Sequence, residues 1–282
     1  MAKRSIRLVE DDGSNVVAAA EADATARAVP AVTRSVAILR LLARGREPLG
    51  VNAIARELGI VPSTCLHILR ALVAEGLVAV DPATKRYGLD AGVLTLARSA
   101  LRQDGFARIA QPELDQLATR RGVTAIGVRV IGLAHMIVVA ISRSEAAFRL
   151  HVDVGSRFPA LISATGRCLA AFGSHSPHEI ERGFKALRWD AAPAYTDWLD
   201  EVAGTRRVGF GVDKGNYIRG VTIVAAPVIG IDGWMTHALV AVALSDQLPA
   251  KGAAAIGAEL KAAAARVTGQ LGGADGARWG DE

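Results

Sequence analysis

The stretch from Val51 to Leu89 constrains this chain most, because it sets a short helix, a glycine turn, a second helix and a basic hairpin in direct succession. Ile54 and Leu58 lie four apart over Val51 to Leu58, and Gly59 supplies a C-terminal stop. After Ile60 and Val61, Pro62 takes a favoured first helical position, and a helix over Ser63 to Glu75 is ended by Gly76. At about 100° per residue, Cys65, Ile68, Leu69, Leu72 and Val73 share one face, while Ser63, His67, Arg70 and Ala74 oppose it and Thr64 flanks them. Upstream, Val32, Val36, Leu39 and Leu42 mark one face of a first helix over Val32 to Leu42. Leu77 to Val80, the turn Asp81-Pro82-Ala83-Thr84, and Lys85 to Leu89 predict a small hairpin with two cations and Tyr87 beside its tip. Three helices followed by a basic hairpin spell a winged helix-turn-helix.

Such a motif carries small polar residues at the outward N-terminal end of its second helix, the end that enters a major groove. Ser63 and Thr64 offer donors to phosphates or base edges, and His67 and Arg70 reach guanine acceptors. At the wing, Lys85 and Arg86 followed by Tyr87 suit backbone or minor-groove contact, with affinity from phosphate neutralisation. Between Ala31 and Asp90, eight Lys and Arg stand against five Asp and Glu, a local excess of three that is modest for a DNA-binding module. The alternatives are a winged helix used only for protein contacts and an ordinary exposed basic turn.

Residues 1–30 show no sustained apolar period and read as a flexible leader, and 274–282 as a flexible tail. Gly92 to Gln103 carries Val93, Leu96, Ala97, Ala100 and Leu101 on one side of a segment too short for its own core, so a linker helix at 91–104 that packs on another copy is expected. Beyond it, Ile109 to Arg121 is helical, Val123 to Ile141 gives two strands around Gly132, and a further strand runs from Phe148 to Val154. A helix opens near Thr165-Gly166 and runs through Ala171, and polar helices cover Glu179 to Leu187 and Ala194 to Ala203. Strands follow at Val208 to Gly211, Val221 to Ile229 and Ala238 to Leu244, then a helix from Lys251 to Leu271. The expected class is α+β: a winged helix-turn-helix at 31–90, the linker, and a sheet-and-helix domain at 105–273.

At 51% hydrophobic and 22% charged residues, the chain can bury a core and is neither disordered nor fibrous. Its one long apolar stretch holds Arg129, His135 and two glycines within β-branched alternation, which excludes a bilayer span. Glu10, Asp11 and Asp12 stand where a secretory signal needs an apolar run, so a cytoplasmic protein is expected. Cys65 and Cys168 are too far apart for a disulfide framework and have no metal-ligand spacing. The net charge of +5 permits a polyanionic partner without demanding one.

Enzyme-like constellations are thin. Cys168 has apolar helical neighbours and reads as a buried thiol rather than a nucleophile. His175 and His178 lie three apart beside Glu179, yet Ser176-Pro177 makes a turn there, against a metal site. Gly209-Phe210-Gly211 is too short for a dinucleotide fingerprint or phosphate loop, so no cofactor is expected. Two function classes remain: a ligand-responsive transcription factor, or a metabolite-binding protein or enzyme that uses its winged helix for oligomerisation.

Thr33-Arg34-Ser35-Val36, Ala53-Ile54-Ala55, Leu58-Gly59-Ile60, Ser63-Thr64, Glu75-Gly76-Leu77-Val78 and Tyr87-Gly88-Leu89 recur in one known family, as do Val154-Gly155-Ser156-Arg157, Pro159, Ala164-Thr165-Gly166-Arg167, Leu169-Ala170, and Gly220-Val221 to Ala226-Pro227. On these residues the chain resembles the IclR-type transcriptional regulators over nearly everything after residue 30. The resemblance implies a DNA-reading winged helix, a dimerising linker helix, a GAF-like effector domain with a central antiparallel sheet flanked by helices, and a homodimer or a homotetramer built as a dimer of dimers. The expected DNA-facing set is Arg34, Ser63, Thr64, His67, Arg70, Lys85, Arg86 and Tyr87. His67 stands where the family often has Arg, and Gly50 where a Ser or Thr cap is usual. The resemblance places an effector pocket along Gly155 to Gly166, with Thr165, Asp213 and the strands at Val221 to Val224 and Val240 to Val242. Asp213 matches a family ligand-contact position, whereas Ile223, Val240 and Val242 replace Cys and Ser that contact small oxo-acids in some members. A helix opening near Thr165-Gly166 suits a carboxylate, and the apolar replacements favour a larger hydrophobic or aromatic acid over a small oxo-acid. The alternative is that Ile223, Val240 and Val242 fill the core and the pocket is small or closed.

Overall fold

The computed structural model describes residues 29–45, 47–103, 105–143, 152–249 and 251–272, with the backbone alone at 99–103. Apart from Val29 and Pro30, the leader expected over 1–30 and the tail over 274–282 lie outside these residues. The described residues form two compact units, one on each side of residue 104.

The first unit opens with α1 (Pro30–Arg44), started two residues earlier than expected by a proline whose missing N–H costs nothing at a helix start. Its core face is Ile38 and Leu42, while Val32 and Val36 stay exposed. The helix is apolar on most sides, so spacing alone found Leu42 and the half-buried Leu39 but passed over Ile38. The two-residue strand β1 (Leu49–Gly50) precedes α2 (Val51–Glu57), and the chain turns through 113° into α3 (Pro62–Ala74). Gly59, at φ 62°, takes the left-handed conformation that this turn requires. Cys65, Ile68, Leu69 and Leu72 bury the inner stripe of α3 against Ile38 and Ile54. The strands β2 (Val78–Val80) and β3 (Arg86–Leu89) form the hairpin, and β1 joins as a third strand in the order β1-β3-β2. That third strand is too short to leave a pattern in the sequence. α4 (Gly92–Gln103) starts hard against α3's end, since a Cβ on Gly92 would lie 2.3 Å from the Gly76 carbonyl oxygen.

The second unit is an antiparallel sheet with helices on both faces. α5 (Gly105–Arg121) leads into β4 (Thr124–Ile131) and β5 (His135–Arg143), joined at Gly132 with φ 54°. There follow β6 (Arg157–Phe158), α6 (Ser163–Phe172), α7 (Pro177–Lys185), α8 (Tyr195–Val208), β7 (Gly211–Lys214), β8 (Val221–Ile229), β9 (Met235–Leu244) and α9 (Gly252–Gln270). The order is β6-β5-β4-β9-β8-β7. Two expected strands are displaced. Residues 148–151 of the strand predicted over Phe148 to Val154 lie outside the described residues, 152–154 are not strand, and the pairing falls to Arg157 and Phe158. The strand predicted from Val208 is helix up to that residue, because Gly209 at φ 87° forms the left-handed helix end and β7 begins only at Gly211.

One face of the sheet, including Val224, Ala226, Leu239 and Ala241, packs under α5 and α9. The other carries Ile126, Ile223, Val240 and Val242 under α6, with Phe184 of α7 and Trp198 of α8 in the same cluster. With apolar cover on both faces, β8 is a nearly continuous hydrophobic run rather than an alternating one.

Candidate DNA interface and effector site

On α3 the periodicity separates the two faces as the sequence predicts. Ser63, His67 and Arg70 are exposed, and Thr64 is half-buried beside the apolar stripe. Pro62 at the first helical position removes one donor that would have no partner and leaves the end of the helix open for a phosphate. Gly50 caps α2 without a side-chain hydrogen bond.

The wing is held by its own turn. Asp81 Oδ1 accepts from the Ala83 amide at 2.8 Å and its Oδ2 from the Thr84 hydroxyl at 2.6 Å. The Thr84 hydroxyl, with the two turn amides, holds the Asp81 carboxyl below its ordinary value. Lys85 is exposed at the tip with φ 55°, and Arg34 is exposed on α1. Arg86 is exposed but already donates Nη1 to the Pro48 carbonyl at 3.3 Å, which ties the wing to β1. Tyr87 is corrected by the structure: at 7% exposure its ring fills the core of the unit and does not face outward for DNA. Alternation along β3 decides this, because Tyr87 pairs with Leu49 and Val80 on the inner row while Arg86 points out.

In the second unit, strand register assembles most of the expected effector residues. Asp213 pairs with Ile223, Ile223 with Val242, and Ala225 with Val240, so the row crosses β7, β8 and β9 on one face. α6 lies over that row: a Cβ on Gly211 would sit 2.6 Å from the Ala164 carbonyl oxygen. Gly166 packs as closely, with a Cβ position 1.8 Å from the Leu161 carbonyl oxygen. The helix opens at Ser163, two residues before the expected start, and that residue takes φ 57°. Thr165, nearly fully buried, is therefore its third residue, and the Gly166 amide is already bonded to the Ile162 carbonyl at 2.9 Å. The open donors are the first-turn amides of Ser163, Ala164 and Thr165.

One expected effector residue lies apart from the row. Gly155 is exposed in a turn, bonded to the Val138 carbonyl of β5 at 2.8 Å, and β4 lies between that strand and β9. It is not brought to the row. Ile223, Val240 and Val242 are buried in the core cluster, which is the core-filling alternative. Two cavities, of about 220 and 210 Å³, lie at the Arg121 to Thr124 and Val242 to Leu248 end of the sheet and between α5 and α9, and of the expected effector residues Val242 alone lines either. Asp213 is wholly buried and already engaged, its Oδ1 accepting from the Asn216 and Tyr217 amides at 2.9 and 3.4 Å.

Sequence reasoning overlooked Arg167 as a site residue. This guanidinium, 1% exposed, donates to Asp213 Oδ2 at 3.3 Å, Glu201 Oε2 at 2.6 Å, Asn216 Oδ1 at 2.9 Å and the Ser163 carbonyl at 2.9 Å. It ties α6, α8 and β7 at one point. Burial pushes the Asp213 carboxyl above its ordinary value, against the pull of Arg167 and the two amides. Spacing could not bring these partners together, although a charged residue amid Ala164 to Ala171 was a signal, since such a residue enters a core only when paired.

The nucleophile candidate is otherwise occupied. Cys168 donates its thiol to the Ala225 carbonyl at 3.2 Å, and burial pushes that thiol up to about 12. His175 precedes the capping Ser176, whose amide and hydroxyl both bond the Glu179 carboxylate. Among the described residues no group of three or more metal-ligating side chains is gathered.

Residues 31–82 match the IclR helix-turn-helix domain, and residues 98–268 match the bacterial transcriptional regulator IclR C-terminal domain. The chain belongs to the IclR family of transcriptional regulators. It is 33% identical to a glycerol operon regulatory protein of Streptomyces griseus over 208 residues, 72% of this chain and 80% of that one. The corresponding Streptomyces coelicolor protein is 30% identical over the same shares. Among solved structures, an IclR transcriptional regulator from Alicyclobacillus acidocaldarius shares 25% identity with a TM-score of 0.77, covering 87% of this chain and all of that one. The Thermotoga maritima IclR, at 17% identity and a TM-score of 0.67 over 87% of this chain and all of its own, shares the fold. Members of the family bind DNA and regulate transcription and are not enzymes, which removes the enzyme reading. Among the described residues no single helix is long and apolar enough to cross a membrane.

Proposed function

We propose that this chain is a sequence-specific regulator in the cytoplasm whose operator affinity is set by an organic acid, with residues 31–90 reading DNA, 91–104 joining subunits and 105–273, a GAF-like unit, taking the effector. The observation that carries the DNA half is the exposed N-terminal face of α3, with Ser63, His67 and Arg70 outward and Thr64 beside them. Lys85, Arg86 and Arg34 supply phosphate contacts around it. Two half-sites need two winged helices at fixed spacing, and α4 supports a homodimer or homotetramer because Leu94 and Leu96 stand 70% and 61% exposed. Val93 is half-buried, and the side chains of Ala100 and Leu101 lie outside the described residues.

The effector half rests on the open first turn of α6 above the row of Asp213, Ile223 and Val242. Its amides and the positive end of its dipole attract a carboxylate, and the aliphatic row suits an apolar body, which favours an aromatic acid over a small oxo-acid. Because the row is closed by packing, the ligand is expected to select a minor, opened form of the unit, and so to bias the protein between two states. Two titrations test this reading. Fluorescence anisotropy with the chain's own upstream DNA is expected to show tight binding with a steep salt dependence. Calorimetry is expected to rank benzoates above glyoxylate and pyruvate; the reverse order, or no retardation of that DNA at moderate salt, refutes the corresponding half.

A further inference from the structure

Among the described residues of the helix-turn-helix domain, Val61 is the most exposed large apolar side chain, at 64%. It caps α3, and Pro62 beside it is exposed as well. Ile60, on the inner side of the same turn, packs against the core of the unit, while the extended backbone of Val61 turns its side chain the other way. The chain has little freedom here. The Ile60 amide donates to the Ala55 carbonyl at 2.9 Å, closing the end of α2 around Gly59, and the Val61 carbonyl accepts from the Cys65 amide at 3.0 Å, opening α3. With both neighbours fixed and few rotamers open to a β-branched side chain, Val61 is held in one place relative to Ser63 and Arg70.

In a helix-turn-helix the N-terminal end of the second helix meets base edges in the major groove, so Val61 continues the outward face of Ser63, His67 and Arg70 toward the groove floor. No Lys, Arg, Asp or Glu stands from Leu58 to Leu66, and the nearest exposed cations are Arg56 and Arg70 on either side. An apolar side chain set against a phosphate strips its water and returns no hydrogen bond. The groove floor offers one apolar group, the 5-methyl of thymine. We propose that Val61, flanked by Pro62, is a base-reading residue that packs on the 5-methyl group of a thymine in the operator. The inference rests on the DNA reading above and adds a base to it: the site taken by α3 carries a thymine beside the bases met by its polar residues.

Selection from a pool of randomised duplexes with the full chain supplies the probe, a bound duplex of known sequence. Each of its thymines is replaced in turn by deoxyuridine, which removes the methyl and leaves every hydrogen-bonding group, and binding is followed by fluorescence anisotropy at one salt concentration. At one or more thymines the replacement is expected to weaken binding about fourfold, the scale of burying one methyl group. In Val61→Ser the thymine and deoxyuridine duplexes are expected to bind alike, with the melting temperature unchanged because the side chain is exposed. Equal affinity for thymine and deoxyuridine at every position, or a methyl preference that survives in Val61→Ser, overturns the inference and leaves DNA reading by α3 standing. So does a Val61→Ser protein that keeps its methyl preference and loses self-association, which makes this edge a protein contact. A protein that selects no duplex overturns both.

Discussion

Arg167→Met removes a buried cation that joins α6, α8 and β7, and the structure fixes what its loss costs. The pair with Glu201 contributes little, about 0–1 kcal/mol, because that carboxylate is 46% exposed and solvent screens it. Asp213 is different. Wholly buried, it would keep its charge with only the Asn216 and Tyr217 amides for company, and an uncompensated buried charge costs about 3–5 kcal/mol. For a unit of this size, each kcal/mol moves the melting temperature by about 2–4 °C, so a fall of about 6–20 °C is expected at neutral pH. The loss has a pH signature. Burial already raises the Asp213 carboxyl above its unfolded value, and without Arg167 it rises further. A group raised in this way favours the protonated folded state, so its contribution is fully present below the unfolded value and lost as pH rises through the folded one. The gap between Arg167→Met and the unaltered protein should therefore narrow as pH falls toward the ordinary carboxylate range. Asp213→Asn in the Arg167→Met background removes the charge while keeping an acceptor for the two amides, and should recover part of the loss. Thermal and urea unfolding across pH measure all of this. A loss under about 1 kcal/mol, or a double variant that loses the sum of both single changes, would refute the assignment of Arg167 as Asp213's essential counter-charge.

Arg70→Ala should weaken operator binding with no change in melting temperature, since the side chain points outward from α3; unchanged affinity by anisotropy removes it from the contact set. Lys85→Ala should lower affinity for all sequences alike and flatten the salt slope by about one unit, and a loss confined to one base position would make it a base reader instead. Leu94→Glu with Leu96→Glu should yield a smaller assembly in analytical ultracentrifugation at micromolar concentration, while an unaltered mass would show that these exposed leucines of α4 are not in an interface. Cys168 should resist iodoacetamide at pH 8 in the folded chain and react once it unfolds, because its thiol is buried and pushed up to about 12; rapid labelling of the native protein would contradict that burial.

Where one face of an element is wet and the other dry, the sequence states the answer. α3 is such a case: Cys65, Ile68, Leu69 and Leu72 went in, and Ser63, His67 and Arg70 stayed out, as 3.6-residue periodicity requires. α1 shows the limit of the argument, because with Val32, Val36, Ile38, Leu39 and Leu42 distributed around it, only the packing of Ile54 and Leu69 selects Ile38 and Leu42 as the buried stripe. Tyr87 failed for a related reason: its place beside a basic tip suggested a surface role, whereas two-residue alternation from Arg86 put it inside. In the second unit, β8 and β9 were legible as apolar runs, yet their register was not, and register is what aligns Asp213, Ile223 and Val242 in one row. Gly155 lies near α6 in sequence and falls on β5, with β4 between it and the row, because the chain forms the sheet edge before it returns to the middle. Arg167 and Trp198 are the deeper cases. Neither matches a spacing motif, and each becomes meaningful only through what surrounds it: a guanidinium fully paired in a dry core, and an indole donor in the same core with no acceptor. The first holds two helices and a strand together, and the second fills the cluster with Phe184 and Tyr195.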